Sequence, residues 1–202
     1  MDATNINVLC LHGTCQSADA FSGHMKEFLK FARQAKLRPH YITAPFIHPD
    51  RGHQWVARKA GDHDYLPSFD NVGEYIYSLD MIITYIKDHN ISVLLGFSEG
   101  ACMIDTLMRT MHDCLTQIKS VILCSGMSFS NSPLFVPRHI RVLNVISTAD
   151  NIVPFECKPV YEEEVFELIL SHDKGHNMPR NHEMRIMINF ALGNNECVPF
   201  KK

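Results

Sequence analysis

The chain of 202 residues is 46% hydrophobic and 20% charged, the proportions of a globular protein with room for one domain, 1–202, and one well-buried core. Its 19 basic and 22 acidic residues leave a formal charge of −3 with no dense basic stripe, which argues against nucleic acid as a partner. No apolar run approaches the roughly eighteen residues that cross a bilayer, and the first residues lack the basic region and cleavage site of a secretory leader.

In chain order, short β-rich runs at 6–11, 38–43, 92–97, 120–124, 142–147 and 166–170 alternate with stretches of helical period. Several of these runs are almost continuously apolar, as strands buried on both faces are. Phe21, Met25, Phe28, Leu29 and Ala32 share one helical face after the first strand, and Val72, Tyr75, Ile76, Leu79, Ile82, Ile83 and Ile86 share another before the third. Met103, Ile104, Leu107, Met108 and Met111 mark a helix beyond residue 98, while Met184, Met187, Ile188 and Ala191 mark one near the end. The alternation predicts an α/β fold: a mostly parallel sheet of about six strands with helices on both faces. Two stretches, 46–70 and 126–138, interrupt the rhythm and are expected to form loops on the substrate side; 194–202 reads as a tail.

Seven cysteines, an odd number without a C-x-x-C pair, sit largely inside apolar runs, so a reduced, cytoplasmic protein is expected.

Gly96-Phe97-Ser98-Glu99-Gly100 matches G-x-S-x-G, the turn that raises a nucleophilic serine between a strand and a helix. A glycine-flanked turn would be the bland reading, but the apolar strand before it and the helical pattern after it supply the context the motif requires. A serine hydroxyl needs a base to take its proton and an acid to orient that base, in the chain order serine, acid, histidine. Asp150, where an apolar strand runs into a polar turn, is the candidate acid, although an aspartate that merely caps the turn has the same signature. Of twelve histidines, His176 follows the last strand by a short loop and precedes the closing helix, so it can reach back over the sheet. His172 is the fallback base. A metal held by His172 and His176 lacks an obvious third ligand. Two backbone donors are needed for the developing oxyanion: the N–H of Glu99, next to the nucleophile, and one in the His12-Gly13-Thr14 turn, with Thr14 first and Cys15 next in line. His12 itself reads as a hydrogen-bonding residue that fixes the loop.

The run from Leu11 to Ser17 with Phe21, the run from Gly96 to Ala101, that from Asp150 to Pro154, and Gly175-His176 together resemble the FSH family of serine hydrolases, over 5–192. The resemblance implies a compact α/β-hydrolase fold and carries the catalytic roles onto Ser98, Asp150 and His176 and the oxyanion donors onto Thr14 and Glu99. It implies hydrolysis of a small-molecule ester or thioester without metal or organic cofactor. The family usually has glutamine at position 99 and often an aromatic residue at 14. A carboxylate at 99 would then disfavour anionic substrates. Phe46, Trp55 and Phe69 of the first loop and Met127, Phe129 and Phe135 of the second are candidates to line an apolar acyl pocket. A deacylase of acylated proteins or lysophospholipids would use the same machinery, and a catalytically silent binding protein is the rival from outside enzymology.

Overall fold

A computed structural model describes residues 5–57, 72–128, 136–162 and 165–194. Its main sheet holds six parallel strands: β1 (Ile6–Leu11), β2 (Leu37–Ile42), β5 (Val93–Phe97), β6 (Ser120–Cys124), β7 (Arg141–Ser147) and β8 (Glu167–His172), in the order β2-β1-β5-β6-β7-β8. The side-chain alternation of a strand divides the core between the two faces. Leu9 and Leu11 of β1 point to the side of α3 (Val72–Asp88) and α4 (Glu99–Thr110). Val8 and Cys10 point to the side of α1 (Ala18–His24), α2 (Lys26–Gln34) and α5 (His182–Ala191), where Phe21, Phe28 and Phe190 are fully buried. Among the described residues no helix is long and apolar enough to cross a membrane.

Strand order reverses between β1 and β5: the chain leaves β1 outward to β2, then crosses back to β5 on the other side. Crevices at such reversals, outside the carboxyl ends of the strands, are where ligands of open α/β sheets bind. Residues 12–14 leave β1 and Ser98 leaves β5 at that crevice.

Three local features depart from expectation. The first amphipathic stretch is two helices, because Met25 leaves helical geometry (φ −90°, ψ 17°) and its N–H bonds to both Phe21 O and Ser22 O. The stretch expected to be loop from 46 contains a small antiparallel hairpin, β3 (Phe46–Ile47) with β4 (His53–Gln54); residues 58–71 lie outside the described residues. Strand β8 runs to His172, paired with Ser147, two residues past its expected end.

Candidate active site

Ser98 sits between β5 and α4 with φ 52° and ψ −120°, a backbone conformation costly for any residue with a side chain. Neighbouring bonds hold it there: its N–H donates to Cys124 O (2.9 Å), and its carbonyl accepts from Ala101 N and Cys102 N. The turn also demands close backbone approach. A Cβ on Gly100 would lie 2.4 Å from Leu11 O and 2.6 Å from His12 O, and one on Gly96 would lie 2.5 Å from Ala101 N. Both glycines are therefore fixed by space.

Two loops from the far strands converge on Ser98. After β7, Asp150 Oδ1 accepts the N–H groups of Ile152 and Val153, each at 2.9 Å. Its Oδ2 meets Nδ1 of His176 at 2.9 Å, and Nε2 of His176 lies 3.0 Å from Ser98 Oγ. Since an ionised carboxylate can only accept, Nδ1 carries the ring proton and Nε2 offers its lone pair to the serine hydroxyl. The Asp150 side chain is 1% exposed and that of His176 14%. Burial alone would push the Asp150 carboxyl up, but the Val153 N–H, the His176 ring and the Ile152 N–H outweigh it and hold the carboxyl below its ordinary value. His172 is not brought to Ser98's imidazole position. It ends β8, its carbonyl accepting from Thr148 N and its Nδ1 from Lys174 N.

The loop after β1 forms the opposite wall. His12 is fully buried; Ala44 N donates to its Nε2 (3.0 Å), so Nδ1 bears the proton and donates to Gly13 O (2.7 Å). Burial keeps this imidazole neutral, with its pKa lowered to about 4. Gly13 N–H donates to Gln16 Oε1 and Cys15 N–H to His53 O, whereas the Thr14 N–H between them makes no hydrogen bond among the described residues. Cys15, next in line as a donor, is thus already committed to the hairpin. Glu99 N–H lies in the first turn of α4, directly after Ser98.

Of the residues expected to line a pocket, Trp55 requires correction. It is fully buried, donating from Nε1 to His12 O (2.8 Å) and accepting from the Ser78 hydroxyl at its carbonyl, so its indole braces the loop and presents no surface to a substrate. Phe46 is half-buried against Tyr77. Met127 packs with Cys102 and Val153 in a small apolar cluster next to the Asp150 turn. Phe69, Phe129 and Phe135 lie outside the described residues. The Glu99 side chain was missed in the sequence: it is 6% exposed, its Oε2 accepting from Thr14 Oγ1 (2.9 Å) and Trp55 N (3.2 Å). The motif marks position 99 only as a backbone donor, so nothing in it signals this.

Fold and elbow together define an α/β-hydrolase. Residues 1–188 match the family described as serine hydrolase (FSH1), and the chain belongs to that family. It is similar to Esterase GA18864 of Drosophila pseudoobscura pseudoobscura, 26% identical over 92% of this chain and 70% of the relative. Esterase AAEL000016 of Aedes aegypti is 25% identical over 87% and 71%. In three dimensions the chain shares its fold with a carboxylesterase from Mesorhizobium loti, at a TM-score of 0.68 with 14% identity over 95% of this chain and 90% of that one. Esterase PE8 gives 0.67 with 15% identity over 95% and 93%.

Proposed function

We propose that this serine hydrolase cleaves carboxylic esters or thioesters of an apolar acyl group, with Ser98 as nucleophile, His176 as general base and Asp150 as the group that orients it. The observation that carries the reading is the unbroken run of hydrogen bonds from Asp150 through His176 to Ser98 Oγ. His176 Nε2 takes the hydroxyl proton as Oγ attacks the carbonyl carbon, and Asp150 stabilises the imidazolium. The tetrahedral oxyanion is held by the N–H groups of Thr14 and Glu99. His176 then returns the proton to the departing alcohol or thiol, leaving an acyl-serine, and a water repeats the sequence to release the acid. The apolar cluster of Met127, Cys102 and Val153 supports an apolar acyl group, with Phe46, Phe69, Phe129 and Phe135 as further candidates to contact it. The described cysteines are thiols, which supports a reducing, cytoplasmic setting.

The test is covalent labelling by a fluorophosphonate, expected in the wild type and abolished in Ser98→Ala. A wild-type protein that resists labelling, despite being folded, would establish a silent hydrolase-fold binding protein instead. Rates on p-nitrophenyl esters of rising chain length, long-chain thioesters and an acylated peptide then separate a small-molecule esterase from a protein deacylase.

A further inference from the structure

We infer that the Glu99 carboxylate is a positioning group that ties the two backbone donors flanking Ser98 to each other. This rests on the proposed role of the Thr14 and Glu99 N–H groups and extends it to a side chain. The two donors come from parts of the chain that share no local structure: one leaves β1, the other opens α4, 85 residues later. The bonds around Thr14 fix its loop to Gln16 and to the hairpin, through Gly13 N–H and Cys15 N–H. Neither reaches the elbow. The Thr14 hydroxyl does, donating to Glu99 Oε2 at 2.9 Å, and the same oxygen accepts the Trp55 N–H at 3.2 Å. One carboxylate oxygen therefore joins the β1 loop, the first turn of α4 and the segment that braces His12.

The chemistry makes this placement informative. A carboxyl group that is 6% exposed is costly to bury unless its oxygens are hydrogen-bonded. The bonds that Oε2 accepts from the Thr14 hydroxyl and the Trp55 N–H offset that cost and fix the side chain's orientation. Packing of Gly100 on Leu11 O and His12 O brings the first turn of α4 against the β1 loop; it does not set the direction of the Thr14 peptide. The Glu99 side chain acts through Thr14 and through its own backbone N–H, so its role is positioning.

The experiment compares kcat, KM and Tm for Glu99→Ala, Glu99→Gln, Thr14→Val and Thr14→Ser on the p-nitrophenyl ester that the wild type hydrolyses fastest. Misaimed oxyanion donors weaken only the transition state, so kcat should fall about 30-fold in Glu99→Ala and about 10-fold in Thr14→Val, with KM within about twofold. Glutamine keeps an oxygen acceptor and serine keeps the hydroxyl; both variants should stay within about threefold of wild type. The double variant Glu99→Ala/Thr14→Val should be about as slow as the slower single one, because both break one tie. Unchanged kcat in Glu99→Ala and Thr14→Val, additive losses in the double variant, or a fall in Tm with kcat per folded molecule intact would each overturn the inference. Thr14→Val is nearly isosteric, and it decides the matter alone should Glu99→Ala fail to fold. If Ser98→Ala turns over like the wild type, the proposed function itself falls; if Ser98→Ala is dead and the tie variants are not, only the tie falls.

Discussion

The two walls of the crevice around Ser98 are built differently. On the β1 side, His12 and Trp55 are fully buried, and the His12 carbonyl, the Gly13 N–H and the Cys15 N–H are each bound to a side chain or to the hairpin. On the β7 and β8 side, Asp150 is anchored beneath the surface by two backbone N–H groups, but its neighbours Asn151 and Ile152 are exposed. His176 keeps 14% of its side chain in contact with solvent and is held by one bond at each ring nitrogen. The two histidines make the lesson concrete. A ring buried as His12 is, with its pKa lowered to about 4, serves as a fixed neutral strut. A ring that must accept and return a proton needs a carboxylate partner and access to water. The first wall is organised to stay still; on the proposed mechanism the second lets a proton move.

The sharpest way to break this contrast is Asp150→Asn. The amide keeps an oxygen for the Ile152 and Val153 N–H groups but no longer holds His176 in the useful tautomer, so kcat should fall by about 10,000-fold with Tm within a few degrees of wild type. Steady-state kinetics with calorimetry checks it, and a large fall in Tm with modest loss of kcat would erase the distinction between the walls. Next in size is the acid dependence of stability. Between about pH 6.5 and 4 the unfolded chain protonates His12 while the folded one does not, so unfolding free energy should decline with falling pH by on the order of 3 kcal/mol. Asp150, whose carboxyl is held below its ordinary value, contributes stability that is complete above the unfolded carboxylate pKa and is lost at lower pH, as the folded value is crossed. The static wall should therefore weaken first on acidification. Urea unfolding at a series of pH values measures this, and a flat response from pH 6.5 to 4 would contradict it. The smallest effect expected is for Trp55→Phe, which removes the Nε1–H donor from His12 O and should cost about 2 kcal/mol of stability in urea unfolding, while kcat changes by less than about tenfold.

How much of this was written legibly in the sequence differs between the walls. The inner strands β1, β5, β6 and β7 are legible because strands buried on both faces are largely apolar along their length, and Ser98, Asp150 and His176 each follow a strand end that hydrophobic runs locate. The elbow was legible because two glycines are required by space. The Met25 break was not, since helical spacing reports which face is buried and not whether the axis continues through it. A tryptophan in an irregular segment offers no periodicity from which to infer its depth, so the burial of Trp55 has no signature in the sequence. Glu99 escaped for a related reason: the partners of its carboxylate, Thr14 and Trp55, are distant in the chain and meet it only once the fold has closed.

The close approach of Gly100 to the carbonyls of Leu11 and His12 has a kinetic meaning as well. Strands β1 and β5 are neighbours in the sheet, yet more than eighty residues separate their carboxyl ends, as the Thr14–Glu99 bond also does. Closing so long a stretch of chain is a late and slow event relative to local helix formation. A chain emerging from synthesis carries Ser98 well before it carries Asp150 or His176. Even a complete chain does not bring the loop after β1 against Ser98 until β1 and β5, neighbours in the sheet, have joined. On the proposed mechanism, reactivity therefore arrives together with the native state.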